Sequence, residues 1–329
     1  MPLVSIIIPC YNERNTIRLL LEAIYQQSYS RPDMEVIIAD GLSEDGTRTE
    51  VAKFRELHPD LQIRLVDNPR RNIPAALNKG LDVATGLYVI RLDAHSMPAP
   101  DYVEQCVADL ECDKGDNVGG VWEIRPGGNG WIARSIAVAA SHPLGVGDAS
   151  YRYTSKARLV DTVTFGAYRR EIFEQVGRFN ENLLTNEDYE FNVRIRQQGG
   201  RIWLDPAIRS TYFARPNLGA LARQYWRYGY WKMRMLRKYP ATIRWRQFLP
   251  PLFMASLLIL AISAVFLKVA RYVLGFEVFI YASVIFIGSM VLAWKNKNFS
   301  QMVGIPLAVA TMHICWGTGF LWSMITSRK

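Results

Sequence analysis

The most constraining feature of the chain is a short apolar run that ends abruptly in polar residues, Leu87-Tyr-Val-Ile-Arg-Leu-Asp-Ala-His95. A run of this length reads as a buried strand, with Asp93 and His95 at its carboxyl end. In open α/β sheets, ligands bind just outside the carboxyl ends of the strands. An acid and an imidazole two apart on an extended segment can face one ion. Oxygen plus nitrogen ligands suit Mn²⁺ or Mg²⁺, which keep open positions for substrate phosphates. A strand followed by a capped turn, with His95 as ordinary loop polarity, would use the same residues.

Neighbouring segments repeat the arrangement. Val4-Ser-Ile-Ile-Ile-Pro-Cys-Tyr-Asn-Glu13 reads as an apolar strand stopped by Pro9, and Asn15 or Thr16 can cap a helix over 17–27 that carries Leu20, Leu21 and Ile24. A second strand, Val36–Ala39, ends in Asp40 and is followed by the turn Gly41-Leu-Ser-Glu-Asp-Gly-Thr47 and a helix near 48–57. Leu61–Val66 reads as a third strand, and 73–84 as a helix containing Asn78-Lys79-Gly80. This alternation predicts βαβ units, hence an α/β fold with a mostly parallel sheet. Right-handed crossovers then bring Pro9–Glu13, Asp40–Thr47 and Asp93–His95 to one rim. Such a rim suits a nucleotide. No Walker loop and no GxGxxG is present, which argues against kinases and dinucleotide enzymes.

Further along, 117–124 reads as another strand. Residues 141–157 form a long Gly- and Tyr-containing segment, either a functional loop or a plain surface excursion. Thr164-Phe-Gly-Ala-Tyr-Arg-Arg170 leads into a short helix over 171–176. Two arginines near a helix start suit an anionic partner, or are simply solvated. Asn186 can cap a helix whose first turn holds Glu187, Asp188 and Glu190. Acids there are commonly dipole partners, and a carboxylate so placed can also serve as a general base.

Charge divides the chain in two. Residues 1–205 hold 23 Lys+Arg and 29 Asp+Glu, a net of −6, while 206–329 hold 16 Lys+Arg and Glu277 alone, a net of +15. Residues 206–248 interleave ten basic residues with Tyr225, Trp226, Tyr228, Tyr230, Trp231, Tyr239 and Trp245. Basic plus aromatic is one signature of nucleic-acid binding. The apolar stretches that follow, 249–267, 272–294 and 302–322, decide against it, because about 20 apolar residues cross a bilayer. The basic segment, 216–248, then reads as an interfacial helix on an anionic leaflet. The positive-inside rule puts the preceding domain and the Lys295/Lys297 loop in the cytoplasm. The four cysteines show no CxxC pair and fit reduced thiols. Met1-Pro2 runs straight into the first strand, so no signal peptide is expected.

The Ser5-to-Glu13 opening, Asp40-Gly-Leu-Ser-Glu-Asp45-Gly-Thr, Ala76-Leu-Asn-Lys-Gly80, Asp93-Ala-His95, Gly166-Ala-Tyr-Arg-Arg170 and Asn186-Glu-Asp188 together resemble the family-two inverting glycosyltransferases of GT-A fold. Within that family the chain resembles the succinoglycan-type membrane glucosyltransferases of bacterial exopolysaccharide assembly. The resemblance implies a Rossmann-like, nucleotide-sugar-binding GT-A domain over 1–215 and a membrane region over 249–329. It implies a UDP-sugar donor, UDP-glucose by analogy, a polyprenyl-diphosphate-linked saccharide acceptor, and a place among other exopolysaccharide assembly proteins. It also implies that the chain sits in the bacterial inner membrane and binds no nucleic acid. Pro9, Tyr11, Glu13 and Asp40 would frame the uridine, with Asp45, Asn78 and Lys79 completing the donor site. Asp93 and His95 would serve the metal, Mg²⁺ or Mn²⁺, and the diphosphate, and Asp188 would be the catalytic base. His95 stands where the family usually has a second Asp. The Gln-X-X-Arg-Trp motif of processive synthases is replaced by Gln224-Tyr-Trp-Arg-Tyr228, which favours addition of a single sugar.

Overall fold

The computed structural model describes residues 2–242 and 244–326. It divides into two compact units, Met1–Glu123 with Thr154–Tyr212, and Ile124–Tyr153 with Phe213–Lys329.

The first unit is built on two wholly buried strands, Val4–Cys10 (β1) and Met34–Asp40 (β2). Burial on both faces is why these runs are apolar without alternation. They pair in parallel with Cys10 opposite Asp40. Gln62–Asp67 (β3) adds to β2 with Asp67 opposite Asp40, and Tyr88–Arg91 (β4) adds to the other side of β1 with Arg91 opposite Ile7. The crossovers are Ile17–Tyr25 (α1), Thr47–Leu57 (α2) and Ile73–Val83 (α3). α1 buries Ile17, Leu20, Leu21 and Ile24, one helical stripe. α3 starts at Asn72, whose side chain accepts the Ala75 N–H at 2.9 Å. Gly80 lets α3 close onto β1, since a Cβ there would overlap Ile7 Cγ2.

The chain then runs through Met97–Pro98 (β5), Tyr102–Glu111 (α4), Asn117–Pro126 (β6), Trp131–Ala140 (α5), Pro143–Val146 (α6), Arg158–Leu159 (β7), Ala167–Arg169 (β8), Ile172–Gln175 (α7), Glu187–Gln197 (α8) and Ile202–Ala214 (β9). The sheet order is β3-β2-β1-β4-β8-β6-β9-β5, with β7 on β9. β8 is antiparallel to β4 and to β6, and β5 and β7 are antiparallel to β9. The sheet, expected to be mostly parallel, is mixed: it is parallel where helices make the crossovers, β3-β2-β1-β4, and gains the antiparallel pairs β4–β8, β8–β6, β9–β5 and β9–β7 beyond, where strands return without that constraint. Tyr168, Phe173, Phe179 and Phe191 form an aromatic cluster beneath α8, with the Phe173 and Phe191 rings stacked 5.3 Å apart.

The second unit is helical. It holds α5, α6, Leu218–Lys238 (α9), Trp245–Phe266 (α10), Lys268–Lys295 (α11) and Gln301–Thr326 (α12). The last three are long and apolar enough to cross a membrane, with mean hydropathies of 2.2, 2.1 and 1.3. The apolar stretches 249–267, 272–294 and 302–322 fall on these helices apart from Leu267, which lies just past α10. α10 and α11 meet at Leu267, and Arg271 turns back to donate to the Ala264 carbonyl at 2.7 Å. The Ser256 hydroxyl of α10 donates to the Glu277 carboxylate of α11. α9 packs closely on α12: a Cβ on Gly229 would overlap the Trp316 carbonyl, and one on Gly319 would overlap the Trp226 carbonyl. α5 also packs on α12, where Gly304 leaves room for Ser135. Residues 141–157, read from sequence as a loop, contain α6 and a 3₁₀ turn over Ser150–Arg152, and Asp148 pairs there with Arg244.

Candidate active site

The rim at the carboxyl ends of β1 and β2 is held rigid by its own polar side chains. Asp40 is fully buried and accepts from the Ser43 hydroxyl at 2.5 Å, the Ser43 N–H at 2.9 Å and Arg48 Nε at 2.6 Å. Leu42 and Asn12 both lie at positive φ, 60° and 54°. The Asn12 N–H donates to Ser43 Oγ at 2.8 Å, and Asn12 Oδ1 accepts from the Glu44 N–H at 3.1 Å. Asp45 accepts from the Thr47 hydroxyl at 2.5 Å, the Thr47 N–H at 3.0 Å and the Arg14 N–H at 3.1 Å. The Thr47 hydroxyl is the main reason its carboxyl titrates below the usual range. These bonds make Asp45 a staple between the two strand-end loops.

Tyr11 is exposed at this rim, and its ring covers Gly41, where a Cβ would come within 2.8 Å of Tyr11 Cδ2. The Arg71 guanidinium lies 5.3 Å from the centre of the Tyr11 ring. Pro9 is buried within β1 opposite Ala39. Asn78 uses its amide to tie α3 to a distant segment: it donates to the Phe179 carbonyl at 3.0 Å and to Glu181 Oε1 at 2.8 Å, and accepts from the Phe179 N–H at 3.1 Å. Lys79 is exposed, 3.9 Å from Asp82.

The turn after β4 carries Asp93 and His95 and is closed by the Ser96 N–H donating to the Asp93 carbonyl at 2.8 Å. His95 Nδ1 lies 3.1 Å from Glu13 Oε1, and Glu13 Oε2 accepts from the Thr16 hydroxyl at 2.5 Å. Burial raises the Glu13 carboxyl, but the bonds to His95 and Thr16 outweigh it and hold it below the ordinary carboxylate range. Burial, then the nearby carboxylates of Asp40, Glu13 and Asp45, push the Cys10 thiol far up. Among the described residues no three His, Cys, Asp or Glu side chains gather into a ready-made metal cage. One carboxylate and one imidazole on a single turn, backed by a second carboxylate, fit a divalent ion that completes its coordination with phosphate oxygens.

Arg91, the last residue of β4, was not singled out by the sequence reading. It is 6% exposed and sits among carboxylates. Its Nη2 donates to Asp93 Oδ1 at 3.1 Å and lies 3.0 Å from Glu187 Oε1, while its Nε donates to Asp93 Oδ1 at 3.3 Å. Burial opposes its charge, but Asp93, Glu187 and Asp188 outweigh that and keep it protonated. Glu187 opens α8 and is buried. Burial, reinforced by neighbouring Asp188 and opposed by Arg91, pushes its carboxyl up to about 7. Asp188 is half-buried, and its Oδ1 accepts the Tyr189 N–H at 2.7 Å. Asn186, just before α8, lies at φ 66°. The signal for Arg91 was a charge inside an apolar strand, which must find a partner once buried.

The chain that carries this strand-end rim, acid–imidazole turn and acid-headed helix is similar to known proteins. Residues 5–177 match glycosyl transferase family 2. The chain belongs to this family. The glycosyltransferase is 31% identical over 327 residues to the succinoglycan biosynthesis protein ExoA of Rhizobium meliloti, covering 98% of this chain and 96% of that one. It is 28% identical over 335 residues to a dolichyl N-acetyl-α-D-glucosaminyl phosphate 3-β-D-2,3-diacetamido-2,3-dideoxy-β-D-glucuronosyltransferase of Methanococcus voltae, covering 100% and 99%. The fold of the glycosyltransferase resembles that of the mannosyltransferase PcManGT from Pyrobaculum calidifontis, solved with GDP-Man and Mn²⁺ (TM-score 0.64, 24% identity, 98% of this chain and 87% of that one). The GT-A fold expected from the sequence is the fold observed, a mixed sheet followed by three helices long enough to be membrane spans.

Proposed function

We propose that this glycosyltransferase moves a single hexose, glucose from UDP-glucose, to a polyprenyl-diphosphate-linked saccharide, with inversion, on the cytoplasmic side of the bacterial inner membrane. The observation that carries the reading is the Arg91 bridge, which links Asp93 on the strand-end rim to the start of α8, where Asp188 sits. The donor-side acid Asp93 and Glu187, the immediate neighbour of the candidate base, are thereby held by one guanidinium nitrogen, Nη2. The full-length likeness to a succinoglycan biosynthesis protein supports the pathway, and the broken Gln-X-X-Arg-Trp motif supports a single addition.

In this reading Tyr11 offers its exposed ring to the uracil, with Pro9, Asp40 and Glu13 shaping the pocket around the uridine. Asp45 and Asn78 act by holding the loops of that pocket, and exposed Lys79 lies at its margin. Asp93 and His95 would hold the divalent ion, Mg²⁺ or Mn²⁺. When bound, that ion supplies charge neutralisation for the departing diphosphate. Asp188 accepts the proton of the acceptor hydroxyl as its oxygen bonds to the anomeric carbon and the bond to UDP breaks on the opposite face. Glu187, buried on Arg91, is taken up by that ion pair, which leaves Asp188 as the base.

A second reading keeps the site and changes its substrates to another donor sugar or a polyprenyl-monophosphate acceptor. The equally complete likeness to the Methanococcus voltae transferase, whose name specifies a glucuronosyl donor group and a dolichyl phosphate acceptor, favours it. Both readings are tested by incubating membranes that contain the protein with a panel of radiolabelled nucleotide sugars and extracting the lipid. Label from UDP-glucose on a diphosphate-linked lipid supports the first. Label only from another donor supports the second, and no lipid-linked label from any donor refutes both.

A further inference from the structure

We propose that Arg91 is a positioning residue for sugar transfer, the strut that sets the distance between the donor-side turn at Asp93 and the base-bearing start of α8. The inference rests on the reading of Asp188 as base given above and concerns a residue to which that reading assigns no chemistry.

Three observations support it. Two carboxylates meet on one side of one group: Nε and Nη2 hold Asp93 Oδ1 at 3.3 and 3.1 Å, and the same Nη2 reaches Glu187 Oε1 at 3.0 Å. Both ends belong to segments that carry other functional groups, the 93–95 turn with His95 and the α8 start with Asp188. The backbone that carries the guanidinium is also tied on both sides. Arg91 lies in the β1–β4 pairing, and its N–H donates to the Gly166 carbonyl at 3.0 Å. Phe165, just before that glycine, is buried at φ 58°.

The third observation is what the residue leaves unsatisfied. Arg91 Nη1 is buried and has no hydrogen-bond partner among the described residues. A buried pair kept only for stability would be expected to satisfy its donors, or to be replaced by apolar packing, which proteins often tolerate well. An arginine held at that cost fits a geometric duty. The planar fork of guanidinium fixes direction as well as distance, which a lysine does not. A displacement of about 1 Å between a base and the reacting centre can cost about 10²-fold in rate.

The test uses the full-length protein in detergent or nanodiscs, with Arg91→Met, Arg91→Lys and the double variant Arg91→Met/Glu187→Met. Two quantities are read: apparent melting temperature without added metal, and kcat and KM with UDP-glucose and extracted polyprenyl-linked acceptor. Arg91→Met should lower the melting temperature by several degrees, because it strands a buried carboxylate. The double variant should recover most of that loss, because neither charge remains. Its kcat should nevertheless stay about 10²-fold below wild type, with the donor KM changed far less. Arg91→Lys, which keeps the charge but loses the fork, should recover only part of the rate. Recovery of transfer in step with melting temperature in the double variant would overturn the inference, since the pair would then serve the fold alone. Wild-type transfer by Arg91→Met would overturn it as well. In either of these cases the wild-type protein still turns over, whereas a wild-type protein that transfers no sugar defeats the underlying reading of the site.

Discussion

Asp188→Asn should remove transfer while leaving the donor bound. The substitution is close to isosteric, and the amide oxygen can still accept the Tyr189 N–H that Asp188 Oδ1 now holds at 2.7 Å. The first turn of α8 also keeps Glu187 on Arg91 and the Phe191 ring within the aromatic cluster, so the helix start should survive. What is lost is proton acceptance. General base catalysis contributes about 10²–10⁴ in rate, which at about 1.36 kcal/mol per tenfold is roughly 3–5 kcal/mol on the barrier. Tyr11, Asp40 and Asp93 are untouched, so the donor dissociation constant should stay within about twofold, under about 0.5 kcal/mol. Glu187→Gln is the matched control. It removes the charge but keeps an amide oxygen that can still accept from Arg91 Nη2, so the geometry is retained and a modest loss of stability of about 1–3 kcal/mol is expected with only a minor loss of transfer. The assay sets donor affinity by calorimetry beside the rate of label transfer to lipid, for both variants. Near wild-type transfer by Asp188→Asn together with a dead Glu187→Gln would show that the base has been assigned to the wrong neighbour.

Other outcomes follow from the same geometry. Chelation by EDTA should abolish transfer and added Mn²⁺ or Mg²⁺ restore it, while Asp93→Ala should stay inactive with either ion; transfer that survives chelation would refute a metal role for the turn. Gly80→Ala forces a Cβ onto Ile7 Cγ2, and the overpacking cost of about 1–3 kcal/mol should exceed the helix-propensity gain of about 1 kcal/mol; an unchanged or higher melting temperature would contradict it. Glu35 is fully buried; burial raises its carboxyl, but bonds from Ser5 and Thr85 and the nearby charge of Arg64 outweigh this and lower it from its ordinary 4.5. A lowered folded-state value stabilises above the unfolded one and is lost as pH falls through the folded one. Melting temperature should therefore drop as pH falls below about 4.5, and less steeply in Glu35→Gln; equal slopes would refute it.

The parts of this fold legible in the sequence are those whose cause is local. β1 and β2 are buried along their whole length, so their apolar runs announce them; Asp40 marks where β2 ends, and Asp93 follows the end of β4. Asn72 heads α3 within a few residues of Pro74, a pattern of caps and breakers that a short window contains. Arg91 needed Glu187, a partner far along the chain, before its place in an apolar strand made sense. Asn78 likewise faces partners 101 and 103 residues away, which no spacing reveals. α5 is a ten-residue apolar stretch, too short for a span and of a length that periodicity cannot assign to strand or helix. Its packing on α12 depends on Gly304 and Ser135 meeting across the second unit.

The mutual glycine contacts of α9 and α12 bear on how the protein can be handled. Gly229 lies against the Trp316 carbonyl, Gly319 lies against the Trp226 carbonyl, and Arg237 donates to the Met324 carbonyl at 3.0 Å. The basic aromatic helix is thus seated on the last apolar helix along much of its length. A shortened chain ending before Trp245, the obvious route to a water-soluble enzyme, would remove that seat. It would uncover Leu221, Tyr225, Met235 and Leu236, all buried in the intact chain. Such a truncation should aggregate, and ending it before Leu218 would still strip α12 from the buried face of α5, so α5 and α9 are both to be treated as part of the membrane body.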